Sequence, residues 1–280
     1  MALYFILAVP LLAAIWLFLV FPRVSKHTEF EPFEKKLIAH RGLFGGAIPE
    51  NSVEAFERAC EAGYGIELDV QLTSDGVPVV FHDETLSRMC SDPRKVSSVS
   101  FSELSLLRLK GTDERIPSFS DALSAVGGRA PLIIEIKPYG ERRELCRKVS
   151  EELAKYNGVF CMESFDPLVL RYFKKNLPSV IRGQLTQDYF RSGGGLSFAG
   201  KTVMTCLFAN FLGRPDFIAY NRAHRMRSTL RTLKRCGAVK IVAWTVRSRE
   251  ELASSSEYDA VIFDSFTPEA APEKKQEGTL

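Results

Sequence analysis

Short apolar runs alternate with amphipathic stretches from about residue 37 to residue 266. The apolar runs are β-strand candidates, and apolar positions at helical spacing, such as Val53 and Phe56, indicate helices between them. If residues 77–81 form the return strand of a hairpin, the other strand candidates lie near residues 38, 67, 134, 161, 182, 218, 242 and 262. Eight strands alternating with helices predict an α/β fold, a closed TIM-type (β/α)8 barrel. The alternative, an open doubly wound sheet, is disfavoured because no glycine-rich dinucleotide-binding turn follows the first strand.

Capping and turn residues set the predicted helix bounds. Asn51 or Ser52 can cap the first helix of the barrel, and Gly63 ends it. Residues 84–114 are polar and predict a short insertion after the hairpin of the second strand. Further helices are predicted over residues 118–126, 141–156, 167–176, 224–236 and 248–254.

The N-terminus carries an uncharged apolar run at residues 3–21, about as long as the roughly 20 residues that a helix needs to cross a bilayer. A cleaved secretory signal is the alternative, but no basic residue precedes the run and no clear small-residue cleavage site follows it. We therefore expect a single transmembrane helix before the barrel. The predicted parts are a transmembrane anchor at residues 1–22, a tether at 23–36, the barrel at 37–266 and a polar tail at 267–280.

Charge and cysteine usage narrow the location and the partners. Basic residues follow the apolar run but none precedes it, so the positive-inside rule predicts a single-pass membrane protein with the barrel in the cytoplasm. Six cysteines lie scattered without paired or metal-like spacing, which suits a reducing compartment. With 37 basic and 34 acidic residues, the charge is too balanced to indicate a nucleic acid partner.

Polar side chains gather at the ends of the candidate strands. His40 and Arg41 follow the first strand, while Glu67 and Asp69 alternate along the second and therefore point the same way. Residues 73–76, Thr-Ser-Asp-Gly, predict a hairpin turn that brings His82 back beside the carboxylates. A two-residue turn at 74–75 would pair His82 with Glu67, and one at 75–76 would pair it with Asp69. Both registers predict His82 on the carboxylate face.

These residue types fit metal-assisted acid and base chemistry. Glu67, Asp69 and Glu135 offer hard oxygen ligands for one divalent cation, either Ca²⁺ or Mg²⁺. The alternative is a structural network in which these carboxylates pair with Arg41 and Lys137. An imidazole titrates near neutral pH and can accept or donate a proton, so two histidines beside three carboxylates favour catalysis over a structural role.

The motifs resemble those of the glycerophosphodiester phosphodiesterase family, over roughly residues 37 to 265. The family pattern runs His-Arg-Gly, Pro-Glu-Asn-Ser/Thr, Glu-x-Asp-Val, Thr-x-Asp-Gly and a hydrophobic strand ending in His-Asp. All five blocks are present in order, beginning at His40, Pro49, Glu67, Thr73 and His82. Further matches lie at Arg-Ile-Pro 115–117, Ile-Glu-Ile-Lys 134–137, Ser-Phe-Asp 164–166 and Trp-Thr-Val 244–246.

The resemblance implies a metal-dependent TIM-type barrel enzyme that cleaves glycerophosphodiesters to glycerol 3-phosphate and an alcohol. It assigns metal binding to the residues matching Glu67, Asp69 and Glu135, and catalysis to the paired histidines matching His40 and His82. The nucleophile is either the neighbouring glycerol hydroxyl, which gives a cyclic phosphate, or water.

The remaining site residues are expected to bind substrate or to position other groups. Arg41 and Lys137 would bind nonbridging phosphate oxygens, and Glu50 would hold Arg41 or a metal ligand in place. Trp244 and Phe165 would wall the glycerol or alcohol side of the pocket, although aromatic residues in strands more often belong to the core.

Two departures from the family pattern lie at the predicted pocket rim. Arg247 stands where the family has asparagine after Trp-Thr-Val, and Phe-Asp-Ser-Phe at 263–266 replaces Thr-Asp-x-Pro. Both bear on head-group preference more than on the chemistry.

Two alternative functions make different demands on the chain. A lipid-directed phosphodiesterase, acting on lysophospholipids as a lysophospholipase D would, calls for an exposed apolar patch at the site, formed by residues such as Leu43, Phe44, Phe190 and Phe208. A non-catalytic membrane-tethered binding module would have lost a histidine or a metal carboxylate, and none is lost here. The expected partners are therefore a small-molecule glycerophosphodiester or lysolipid, and the membrane.

Overall fold

Eight parallel strands close into a barrel in the computed structural model, which describes residues 2–193 and 195–268. The predicted barrel is thus confirmed, while residues 269–280 of the predicted tail lie outside the described residues. The order around the barrel is β1-β9-β8-β7-β6-β5-β4-β2, and β1 pairs with β2 to close it. The strands are β1 (Leu37–His40), β2 (Gly65–Leu72), β3 (Pro78–Val80), β4 (Leu132–Ile136), β5 (Phe160–Ser164), β6 (Arg182–Thr186), β7 (Phe217–Asn221), β8 (Lys240–Val246) and β9 (Ala260–Phe263).

Helices connect the strands, and capping side chains set where several of them begin. Ser118 Oγ accepts a hydrogen bond from the Asp121 N–H in a capping box, and Gly127 ends the same helix at a φ of 55°. Ser52, rather than Asn51, caps the first barrel helix. The helices are α1 (Ala2–Val20), α2 (Val53–Glu61), α3 (Ser87–Cys90), α4 (Phe101–Leu104), α5 (Phe119–Val126), α6 (Arg142–Leu153), α7 (Pro167–Asn176), α8 (Tyr189–Ser192), α9 (Phe198–Thr205), α10 (Asn210–Gly213), α11 (Ser228–Arg235) and α12 (Arg249–Ala253).

The hairpin between β2 and β3 corrects both predicted registers. Leu72 pairs with Pro78, so the turn has an odd number of residues, and His82 would face Leu68 if the ladder continued. Thr73 explains the difference. Its N–H donates to the Val77 carbonyl and its Oγ1 accepts from the Val77 N–H, so the hairpin closes between Thr73 and Val77. The ladder ends at Val80, however, and the chain bends so that His82 still lines the cavity that holds the carboxylates.

The segment predicted as a tether packs against the N-terminal end of the barrel. Val24–Phe33 forms 3₁₀ turns, and Phe30 and Phe33 are fully buried in the cluster that fills the barrel interior. Arg23 donates from Nε and Nη2 to the two carboxylate oxygens of Asp216, both at 2.6 Å. The N-terminal segment therefore contributes to the core of the barrel.

Replacing Arg23 with alanine is expected to lower the free energy of unfolding by about 3 kcal/mol, because it leaves the buried Asp216 carboxylate without its cation. Guanidinium unfolding of the full-length chain in detergent, followed by near-ultraviolet circular dichroism, measures the change. Arg147→Ala is the control, since Arg147 pairs with Glu144 and Glu151 on an exposed helix face and should leave the midpoint unchanged. Equal midpoints for both variants would contradict the expectation.

The C-terminal end of helix α1 docks on the barrel. Asn210 Nδ2 donates to the Val20 carbonyl, and the Phe18 and Phe211 rings lie 5.7 Å apart. Farther from the barrel, Val9 and Leu12 are exposed. The stretch Ala8–Lys26 is long and apolar enough to cross a membrane.

Candidate active site

A cavity of about 140 Å³ opens at the carboxyl ends of the barrel strands, the end where catalytic residues gather in such barrels. Of the ten predicted site residues, eight line it: His40, Arg41, Glu67, His82, Glu135, Lys137, Phe165 and Trp244. The other two lie behind this lining. Asp69 is fully buried in contact with Lys137, and Glu50 is buried against Arg41.

Three carboxylates converge at one side of the cavity. Asp69 and Glu135 are register partners in β2 and β4, and Glu67 lies two residues before Asp69 on the same face. One oxygen from each of these residues lies within 4.8 Å of the other two, and all three residues are buried. Burial, together with the charges of Asp69 and Glu135, raises the pKa of Glu67 well above its usual value.

The electrostatics of this cluster fit a bound cation. Burial and the neighbouring Asp69 raise the pKa of Glu135 to about 7, although Lys137 opposes the shift. Asp69 stays ionised, because Lys137, His82 and Arg41 outweigh its burial and hold its pKa below the usual range. Asp69 Oδ1 accepts no hydrogen bond from any described residue, with Lys137 Nζ 3.3 Å away. These oxygens are a donor set that Ca²⁺ or Mg²⁺ prefers.

Two basic side chains border the carboxylates and are held in place by them. Lys137 Nζ donates to Glu135 Oε1 at 2.8 Å. Arg41 Nη1 donates to Glu50 Oε1 at 2.6 Å, and the Arg41 backbone N–H donates to Glu67 Oε2. Glu50 also accepts from Arg88, a residue of the insertion that no sequence pattern indicates.

Each histidine has an aspartate on its Nδ1. The His40 and Asp264 side chains meet at 2.9 Å, and His82 and Asp83 at 2.6 Å, so that each Nδ1–H donates to a carboxylate. His40 Nε2 lies 3.9 Å from Glu67 Oε2. Burial lowers the pKa of both imidazoles, and the aspartate partners partly offset it. Each pair leaves Nε2 available for proton transfer.

The opposite side of the cavity is mostly apolar. The Phe165 and Trp244 rings meet edge to face at 5.7 Å, with Leu185 beside them. Glu163 lines the same cavity on β5, a position to which the sequence motifs assign no role. At the rim, Arg247 donates from Nε to Asp264 Oδ1, so this departure from the family pattern lies one contact from His40.

Known proteins are similar to this chain in sequence and in fold. A glycerophosphodiester phosphodiesterase 1 of Mus musculus is 38% identical over 273 residues, covering 84% of this chain and 79% of the relative. A glycerophosphodiester phosphodiesterase of Caldanaerobacter subterraneus is 36% identical over 164 residues, 54% of this chain and 66% of the relative. Among solved structures, an Oleispira antarctica phosphodiesterase in complex with the product sn-glycerol-3-phosphate matches with a TM-score of 0.70 at 24% identity, over 85% of this chain and 95% of that one.

The segment of the chain that matches a protein family covers the barrel. Residues 40–267 match the model of the glycerophosphoryl diester phosphodiesterase family, from His40 at the end of β1 to just beyond Asp264. The matched segment contains all ten predicted site residues. The chain therefore belongs to the glycerophosphoryl diester phosphodiesterase family.

Proposed function

We propose that the chain hydrolyses glycerophosphodiesters to glycerol 3-phosphate and an alcohol, with one bound divalent cation, Ca²⁺ or Mg²⁺. The observation that carries the proposal is the convergence of three buried carboxylates within 4.8 Å, beside two histidines that line the cavity and each bond an aspartate through Nδ1. The relative from Oleispira antarctica, which holds sn-glycerol-3-phosphate as product, supports the same product here.

Arg41 and Lys137 bind the nonbridging oxygens of the phosphate in this proposal. Their other contacts fix where the charges lie: Glu50 orients the Arg41 guanidinium, and Glu135 holds the Lys137 ammonium. A preorganised pair of cations stabilises the charge that develops on the phosphate oxygens. Glu67, Asp69 and Glu135 would hold the divalent cation, which when bound neutralises phosphate charge and polarises the phosphorus centre.

His40 and His82 move the two protons that the reaction requires. One imidazole accepts a proton at Nε2 from the attacking hydroxyl, and the other donates its Nε2 proton to the oxygen of the leaving alcohol. Asp264 and Asp83 hold the rings by accepting from Nδ1–H and stabilise the charged form of each imidazole. The same pair serves attack by the glycerol 2-hydroxyl or by water.

Release of glycerol 3-phosphate from glycerophosphocholine tests this function. The full-length chain in detergent is expected to release it with Ca²⁺ or Mg²⁺, and the rate should fall to background with a chelator and recover when the cation is restored. Full activity in the chelator would contradict the metal assignment. No release with either cation from any soluble diester would contradict the proposed reaction.

A second candidate function is hydrolysis of lysolipids at a membrane surface. A lysophospholipase D of Homo sapiens, GDPD3, is 35% identical over 145 residues, 47% of this chain. The predicted rim patch is only partly present, because Leu43 and Phe208 are half-buried against core clusters. Phe190 instead contacts the exposed Phe198 edge to face in the segment after β6. Activity on lysophosphatidylcholine micelles without activity on glycerophosphocholine would favour this candidate.

The helix α1 is proposed as a single-pass anchor that leaves the barrel in the cytoplasm. Its uncharged apolar stretch and the basic residues Arg23, Lys26, Lys35 and Lys36 that follow support this topology. Protease added outside sealed right-side-out vesicles is then expected to spare the barrel, and added after lysis to cleave it. Cleavage of the barrel before lysis would reverse the orientation.

A further inference from the structure

Two buried polar atoms of the cavity lining have no hydrogen-bond partner among the described residues. They are Glu163 Oε2 and Trp244 Nε1. Glu163 is only 1% exposed, so its carboxyl group is withdrawn from bulk water. Buried polar groups in folded proteins are normally paired, and an unpaired one costs free energy that a ligand can recover.

The two atoms reach the cavity from different strands. Glu163 lies on β5, which pairs with β4 and sets Glu163 in register with Glu135, whereas Trp244 lies on β8. Glu67, Asp69 and Glu135 form the set of described carboxylates that can share a cation, and Glu163 lies outside that set. Glu163 is therefore a neighbour of the proposed metal ligands and is not one of the three that converge.

The hydrogen-bonding functions of the two atoms are complementary. An indole N–H only donates, and a carboxyl oxygen accepts. A hydroxyl group both accepts one hydrogen bond and donates one, so it can satisfy Trp244 and Glu163 together. Phe165 and Leu185 border them with apolar surface that suits the carbon atoms of a small polyol.

We propose that Glu163 and the Trp244 Nε1–H bind the terminal hydroxyl of the substrate's glycerol. The inference rests on the proposed function, because it takes the phosphate to lie at Arg41 and Lys137. The 2-hydroxyl is carried by the carbon next to the phosphoester carbon and stays near the histidines. The terminal hydroxyl lies farthest from the phosphorus and reaches Glu163 on β5 and Trp244 on β8.

This subsite selects substrates whose glycerol is fully deacylated. An acyl chain on the terminal oxygen removes the proton that Glu163 accepts, and it adds bulk to a cavity of about 140 Å³. A cavity of that size is comparable to one that holds a single benzene molecule. The alcohol on the other side of the phosphate lies toward the rim at Arg247 and is not restricted in this way.

The test compares glycerophosphoethanolamine with its analogue built on propane-1,2-diol, which lacks only the terminal hydroxyl. Ethanolamine release by the full-length chain with Mg²⁺ or Ca²⁺ gives kcat/KM for each substrate. The wild-type chain is expected to prefer the glycerol substrate by about 10- to 100-fold, because the analogue leaves two buried groups unpaired.

Variants then assign that preference to the two side chains. Glu163→Leu removes the acceptor and is expected to reduce the preference to within about threefold, mainly by lowering kcat/KM for the glycerol substrate. Glu163→Gln keeps an acceptor oxygen and should keep most of the preference. Trp244→Phe removes the donor, keeps an aromatic ring, and should also reduce the preference.

The outcomes separate failure of this proposal from failure of the proposed function. A wild-type preference near 1 on two substrates that are both hydrolysed overturns the subsite and leaves the function standing. Equal losses on both substrates in Glu163→Leu, with weaker cation binding by calorimetry, would place Glu163 in the cation site instead. If Glu163→Leu does not fold, an unchanged preference in Trp244→Phe overturns the proposal. No hydrolysis of any diester by the wild-type chain overturns the function itself.

Discussion

Replacing His82 with alanine is expected to lower kcat for glycerophosphodiester hydrolysis by about 10³-fold, within the range that general acid or base catalysis supplies. His82 lines the cavity, and Asp83 accepts its Nδ1–H, which leaves Nε2 for the substrate. The loss should appear in kcat more than in KM, because proton transfer stabilises the transition state and contributes little to substrate binding. Steady-state kinetics with glycerophosphocholine at saturating cation measures both constants.

His224→Ala is the matched control for this experiment. His224 lies in the loop after β7, also at the catalytic end of the barrel, but its Nδ1 accepts from the Asp188 backbone N–H and it does not line the cavity. Its removal should leave kcat within about twofold. A His82→Ala enzyme that retains more than a tenth of the wild-type kcat would rule out a catalytic role for His82.

The sequence predicts the fold wherever apolar residues recur in runs that become buried strands. Each of the eight apolar runs is buried as a barrel strand, because a parallel strand covered on both sides needs continuous apolar residues. The predicted turn after β2 is wrong because its length depends on the Thr73 side chain, whose hydrogen bonds compete with the regular ladder. A period-2 pattern defines a face but leaves such a one-residue shift open.

The N-terminal segment shows a different limit. Phe30 and Phe33 stand among polar residues in a ten-residue stretch, so no period marks them as core. Their burial depends on Phe217 and on the Arg23 contact with Asp216, 193 positions away in the chain. Contacts over such a distance are set by the closed barrel and have no local pattern.

Some residues of the candidate site can also be predicted from a local pattern, and others cannot. Alternation along β2 is enough to predict that Glu67 and Asp69 share one face, since the side-chain period of a strand is two. Asp264 becomes the partner of His40 only because β9 closes beside β1, a pairing that no local pattern predicts. Glu163 occupies a comparable interior position, in register with Glu135, yet a single glutamate within an apolar strand has no motif to identify it.

Replacing Asp69 with asparagine is expected to lower kcat/KM by about 10³-fold at a fixed cation concentration, because a cation ligand contributes several kcal/mol to stabilising the transition state. Lys137, His82 and Arg41 outweigh burial and hold the pKa of Asp69 below its usual range, so Asp69 offers a charged ligand to a divalent cation. Calorimetric titration with Ca²⁺ and Mg²⁺ should show at least tenfold weaker binding. Higher cation concentrations should restore part of the activity.

Asp166→Asn is the control, since Asp166 caps α7 by accepting from the Leu168 N–H, and asparagine caps a helix equally well. The Asp69→Asn experiment also decides between the two interpretations of the acidic cluster. If Asp69 only pairs with Lys137 and Arg41 as a structural network, the variant should lose stability while its kcat/KM keeps the wild-type dependence on cation concentration. A cation site instead predicts that the concentration needed for half-maximal activity rises, because one charged ligand has become neutral.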